Sequence, residues 1–235
     1  MSWQGWARKF VGRPGGVRRP LAFLIAISII ASLLAPSFPT VNNLSALLSS
    51  SSFLIVAAVG EAFVIMVGMI DLGLESMLAA AGMFIAFLTV FQGVPAPLAV
   101  LITLVAGGGV GVLVGLLVAR GGIPSFLVTL ATYWGIRGVA LLFNGGNYIS
   151  PDAVDPPRPF GFAWISGDIG GFPVLILIAV VVVVGGQLVL SLTPAGNWIK
   201  ATGSNENAAR SVGIRTWLIK GLVLAISGVL AARAG

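Results

Sequence analysis

Seven stretches of this chain are apolar for long enough to cross a lipid bilayer, and that recurrence limits the fold more than any other feature. A hydrocarbon core takes about 17 to 25 apolar residues in a helical span. Such runs can be read at Leu21 to Phe38, Ser51 to Ile70, Ser76 to Phe91, Pro97 to Ala119, Ser125 to Phe143, Phe172 to Leu192 and Leu218 to Arg233. The expected fold is therefore all-α, a polytopic membrane protein with about seven transmembrane helices. Composition agrees, since 57% of the residues are hydrophobic and 9% charged, more apolar surface than a water-soluble domain could hide.

Lysine and arginine gather in short segments beside the apolar runs, which is a topology signal rather than a nucleic-acid footprint. The net charge of +6 is explained that way, and no nucleic-acid partner is implied. Placing Arg8, Lys9, Arg13, Arg18 and Arg19 in the cytoplasm and alternating sides puts Arg120, Lys200, Arg210, Arg215 and Lys220 inside as well. The uncharged connection from Pro39 to Ser50 and the Pro- and Gly-rich loop from Gly145 to Gly171 fall outside. The long basic N-terminus and the later spans argue against a cleaved secretory signal. A broken or re-entrant helix around Asp71 would keep the same parity at a different depth.

Cysteine and histidine are both absent, which excludes disulfides, thiol nucleophiles, common zinc sites and histidine-based acid–base chemistry. No metal or cofactor is expected. A membrane enzyme has little support, because only scattered Ser and Asp remain to build a catalytic constellation.

Gly107, Gly111 and Gly115 recur every four residues within VAGGGVGVLVGLLVAR, so they share a helix face that lets another helix approach closely. A phosphate-cradling loop is the sharper reading, but the GK[ST] that would complete it is missing. Three ionisable residues lie within or at the edge of apolar runs: Glu61, Asp71 and Arg137. Each is costly in lipid and should face protein or water, either as scaffold or as pathway lining. Glu61 and Arg137 lie ten and seven residues from the outer ends of their spans, a depth difference of only about 5 Å. This predicts a pair between them if their helices are neighbours. In GMIDLGLES, Gly68 and Gly73 bracket Asp71, and the carboxylates Asp71 and Glu75 would repel on a continuous helix, favouring a break. Two carboxylates without a third ligand make a poor metal site.

The polar stretch ATGSNENAARSVGI, Ala201 to Ile214, falls inside. Asn205 suits an N-cap, Glu206 a first turn, and Gly213 a C-terminal stop. The spacing predicts a helix of about two turns with Ala208, Ala209 and Val212 on one side and a Glu206–Arg210 pair. So short a helix is unstable alone and needs a surface to dock on. The alternative is a solvated loop carrying inside cations.

These residues resemble a known family, the permease subunits of bacterial ABC-type monosaccharide importers of the ribose, xylose and galactose group. The pattern A-x-G-x-N-x-x-A-A-x-x-x-G-I is met by Ala201, Gly203, Asn205, Ala208, Ala209, Gly213 and Ile214. AVGEAFVIMVGMIDLGLES is similar to the family segment ending G-I-D-L-S-V-G, with Gly73, Leu74 and Glu75 departing from it. IPSFLVTLATYWGIRGVALLFNGG is similar to P-x-F-I-x-T-L-G-T-x-x-x-x-R-G through Pro124, Phe126, Thr129, Leu130, Thr132, Arg137 and Gly138, with Ala131 in place of a glycine.

The resemblance implies a cytoplasmic basic segment at 1–20 and a membrane permease domain at 21–235, incomplete at its C-terminus, with a coupling loop at 193–217. It implies a multi-pass protein of the bacterial inner membrane, without enzymatic activity, that works with a separate ABC ATPase subunit, an extracytoplasmic solute-binding protein and a second permease copy in the lipid bilayer. Gly203, Asn205, Glu206, Ala208, Ala209, Arg210 and Gly213 are then expected to couple to the ATPase. Glu61, Asp71 and Arg137 are expected in the pathway or its scaffold. The rival is a proton-coupled secondary transporter with Glu61 and Asp71 as its relay.

Overall fold

A computed structural model describes residues 17–143, 145–147, 168–169 and 172–235. Arg8, Lys9 and Arg13, and Asp152, Asp155 and Arg158 of the long outer loop, lie outside the described residues. The chain divides into two compact units, Met1–Leu48 and Ser49–Gly235. In the first, α1 (Arg18–Leu34) is 17 residues long, the lower limit of what spans a bilayer. Its Ser28 and Ser32 hydroxyls donate to the carbonyls of Leu24 and Ser28 one turn back, which satisfies them on an apolar helix. The following helix, α2 (Val41–Met66), begins in this unit and continues into the second.

Six helices among the described residues are long and apolar enough to cross a membrane. They are α2, α3 (Leu74–Ala86, continued by a π-helical turn at Phe87–Phe91), α4 (Ala96–Ala119), α5 (Ser125–Leu142), α6 (Val174–Leu192) and α9 (Thr216–Ala234). The sequence reading started the second span at Ser51, whereas α2 starts ten residues earlier at Val41. Serine is only moderately unfavourable in a helix, so the run Ser49–Ser52 does not interrupt it. The π-helical turn carries no signal in the apolar pattern; within it, Thr89 Oγ1 donates to the carbonyls of Ile85 and Ala86.

The glycine stripe becomes the tightest seam of the second unit. Gly107, Gly111 and Gly115 of α4 meet Gly221, Leu224 and Gly228 of α9, and a methyl group added at Gly111 would overlap the Leu224 carbonyl. Ala99, Thr103, Gly107, Gly111 and Gly115 are all buried, so the fourfold spacing continues along most of the helix. Removing Cβ on both sides lets the backbones approach and gain dispersion contacts that lipid cannot supply.

A core of Phe63, Val64, Val67, Met69, Val114, Val128, Ile199, Ile219, Val223 and Leu224 lies toward one end of the helices. It joins the end of α2 to α4, α5, α9 and a short helix α7 (Pro194–Ser204). The connections that the cation rule places inside, 67–73, 120–124 and 193–215, converge at this end. The segment 193–217 is itself two helices, α7 and α8 (Glu206–Ser211). Before α6, a two-residue antiparallel ladder pairs β1 (Asp168–Ile169) with β2 (Phe172–Pro173).

Candidate functional site

Two features meet at the inner end: the break between α2 and α3, and the paired helices α7 and α8. The break begins at Gly68, whose φ of 77° suits a residue without Cβ. Gly68 N–H donates to the Ile65 carbonyl and Met69 N–H to the Val64 carbonyl, the Schellman arrangement that closes a helix C-terminus. Irregular backbone at membrane depth is tolerated only where protein satisfies its polar groups, and here side chains of α5 and of the break itself satisfy it. Ile70 N–H donates to Ser125 Oγ at 3.3 Å, and Thr129 Oγ1 donates to the Ile70 carbonyl at 3.3 Å. Asp71 Oδ1 accepts from Gly73 N–H at 2.9 Å, and its Oδ2 accepts from Ser227 Oγ at 3.1 Å.

Asp71 therefore ties the start of α3 to α9. A carboxylate at a helix N-terminus is favourable, and the exposed Glu75 in the first turn of α3 benefits likewise. The break was expected from repulsion between these two acids. Its geometry rests instead on Gly68 and on the hydroxyls that receive it.

The expected Glu61–Arg137 pair is not formed. Glu61 Oε1 faces the Asp71 backbone N–H at 3.5 Å, and its buried Oε2 has no hydrogen-bond partner among the described residues. Arg137 is exposed, donates to Tyr133 Oη at 3.2 Å, and lies 5.8 Å from that ring's centre. Equal depth in straight spans does not account for the break, which brings the Asp71 backbone beside Glu61. No group of three or more metal-binding side chains occurs among the described residues.

The polar stretch is a helix with both ends closed. Asn205 Oδ1 accepts from Ala208 N–H at 3.0 Å. Gly213, at φ 86°, donates to the Arg210 carbonyl, and Ile214 N–H donates to that of Ala209, a second Schellman closure. Glu206 pairs with Arg210 at 2.7 Å as the spacing predicts, and with Lys220 at 2.6 Å. Thr216 Oγ1 joins them, accepting from Arg210 Nε at 2.9 Å and donating to Glu206 Oε1 at 3.1 Å. Lys220 and Thr216 belong to the next span, so no local spacing could reveal their part. Chiefly through Lys220, then Arg210 and Thr216, the Glu206 carboxyl is held below its ordinary value against the opposing effect of partial burial.

The three apolar residues of α8 and its end do not share one outward face. Ala209 is buried, 3% exposed, and anchors the helix to its own chain. Ala208 and Val212 point outward, with Val212 76% exposed. The outer face of α8 and its end is thus made of Asn207, Ala208, Ser211 and Val212, with Ala209 beneath. A large residue at Ala209 is therefore expected to disturb the fold.

The apolar pattern gives no sign of α7, although Thr193-Pro194 is a usable start signal. Thr193 Oγ1 accepts from Gly196 N–H at 3.3 Å and Pro194 occupies the first turn, as expected for a capped helix start. Its other end carries Gly203, where a methyl group would overlap the Met66 carbonyl at the end of α2. The paired helices and the α2–α3 break therefore touch through backbone, with no side chain between them.

Residues 43–235 match the family model described as branched-chain amino acid transport system / permease component. The chain belongs to that family. The chain is 34% identical to the ribose import permease protein of Escherichia coli (strain K12) over 92% of its own length and 66% of that relative's. It is 35% identical to the fructose import permease protein of Bifidobacterium longum over 80% of its length and 52% of that relative's. With the xylose transport system permease protein of Escherichia coli (strain K12) it shares 28% identity over 91% and 70% of the two chains. It spans about two-thirds of the length of the ribose permeases it matches. No solved structure matches it. It is a multi-pass membrane protein of that family, with six helices among the described residues long and apolar enough to cross a bilayer.

Proposed function

We propose that this permease is the membrane subunit of an ATP-driven importer of a monosaccharide or similar small polar solute in the bacterial inner membrane. The observation that carries the reading is α8, a helix of six residues capped at both ends, anchored through Ala209 and Glu206, with its outer face left open. Six residues do not hold a helix in water by themselves; here the chain builds the support beneath it and presents Asn207, Ala208, Ser211 and Val212. That is the form of a surface kept ready for a cytoplasmic partner, and the resemblance names the partner as an ABC ATPase. The names of the relatives, ribose, fructose and xylose permeases, support a sugar as solute.

The assembly also includes an extracytoplasmic solute-binding protein and a second permease copy. Arg137 supports the second copy. A charge on a span is costly against lipid, and Arg137 is exposed on α5. In the dimer it faces the polar pathway. The proton-driven alternative loses its support, because the matching family is described as a transport-system permease component and the relatives are sugar import permeases.

The test is co-purification with the ATPase and binding protein, then sugar-dependent ATP hydrolysis by the reconstituted complex. Val212→Glu places an unpaired charge on the outer face of α8, and is expected to weaken ATPase association at least about tenfold while leaving thermal unfolding of the permease unchanged. Solute transport in proteoliposomes lacking any ATPase would overturn the proposal.

A further inference from the structure

The geometry points to a binding site for an anionic phospholipid at the inner end of the α4–α9 seam. Because Gly115 and Gly221 carry no Cβ, the two helices leave a groove beside their contact, walled by Val112, Leu116 and Ala119 from α4 and Leu218, Leu222 and Ala225 from α9. Every wall residue is apolar. The groove ends where α4 gives way to Arg120 and α9 begins.

A second cavity continues from that end and shares Ala119 and Trp217 with the groove. Arg120, Arg210 and Arg215 line it, and no carboxylate does. Arg120 lies over the Trp217 ring, 4.4 Å from its centre, a cation–π contact that holds the guanidinium at the junction of apolar and polar surface. Arg120 and Arg215 are exposed, and neither makes a salt bridge among the described residues. Arg210 is engaged by Glu206, but that carboxylate is shared with Lys220, so the local balance stays positive.

An apolar trough closed by arginines and a tryptophan at the interface matches an acyl chain carrying a phosphate headgroup. The chain lies in the groove and the phosphate meets Arg120 and Arg215, whose planar forks suit its oxygens. Basic pockets between spans on the cytoplasmic side take anionic headgroups for this reason. The cation rule places this end inside, facing the leaflet that supplies them. Charge complementarity selects the occupant: a zwitterionic lipid fills the trough equally well but offsets its own phosphate. This inference does not depend on the transported solute or on the ATPase.

Native mass spectrometry of the purified permease, titrated with phosphatidylglycerol and phosphatidylcholine of equal chain length, tests it. Phosphatidylglycerol is expected to bind roughly tenfold or more tightly, and the double variant Arg120→Gln, Arg215→Gln to lose most of that preference. Lys200→Gln removes an exposed charge that lines neither the groove nor its cavity and is expected to leave the preference unchanged. Val112→Trp, which fills the trough, is expected to weaken both lipids, and soluble glycerol phosphate is expected not to compete. Equal affinity for the two lipids, a preference surviving the double arginine variant, binding unaffected by Val112→Trp, or full competition by glycerol phosphate would each overturn the assignment. The same holds if a second copy of the chain, rather than lipid, proves to occupy the groove.

Discussion

Gly203 shows how one missing methyl group can matter more than a charge. In isolation, alanine would gain about 1 kcal/mol of helix propensity at this solvent-exposed site. Against that stands overlap with the Met66 carbonyl, a backbone atom that cannot rotate aside, and overpacking costs about 1–3 kcal/mol. Gly203→Ala is therefore expected to lower the thermal midpoint of the permease, and an unchanged midpoint would show that α7 does not seat on α2. Glu206 makes a separate prediction. Its carboxyl is held below the ordinary value by Lys220, Arg210 and Thr216, so it binds protons less readily folded than unfolded. The stability it confers is present above the unfolded value of 4.5 and is lost as pH falls through the lowered folded value. Amide exchange in 206–216 should accelerate as pH is lowered through that window, after correction for intrinsic rates, and Glu206→Gln should flatten the response.

At the scale of the element, the glycines of α4 divide into two kinds. Gly111 meets backbone of α9, whereas Gly109 has open space where a Cβ would be. Gly111→Ala is expected to destabilise the α4–α9 pair by about 1–3 kcal/mol. Gly109→Ala should be neutral or gain up to about 1 kcal/mol. Unfolding midpoints of the two variants in one detergent decide it, and similar midpoints would contradict the seam. The α2–α3 break permits a parallel test, because nothing lies within contact of a Cβ at Gly68 and the cost there is purely conformational. Gly68→Ala should lose about 1 kcal/mol, and Gly68→Asn less, since asparagine tolerates the left-handed region.

For the whole molecule, the arrangement joins a cytoplasmic surface to a membrane interior by short steps. α8 rests on its own chain through Ala209; α7, one residue before it, abuts Met66; the break that follows Met66 is held by Ser125, Thr129 and Ser227. A push on α8 therefore meets the α2–α3 break through packed backbone. In the proposed transporter this predicts that Ser227→Ala, which removes the Asp71 contact, lowers sugar-stimulated ATP hydrolysis more than it lowers ATPase association. Equal loss of both would assign Ser227 a merely structural part.

The apolar runs, the cation pattern, the glycine stripe and the caps of α8 were all legible in the linear chain. Each depends on residues within one or two turns of each other, or on the local preference of a segment for lipid over water, and such preferences do not need a partner to be specified. The long-range assignments were not legible: Glu61 beside Asp71 rather than Arg137, Lys220 and Thr216 on Glu206, Gly203 beneath Met66, and Ala209 turned inward. Those depend on where a helix stops and which way the next one leaves. A single left-handed glycine at position 68 redirects the chain, and hydrogen bonds and close packing then select partners that depth and local spacing do not identify.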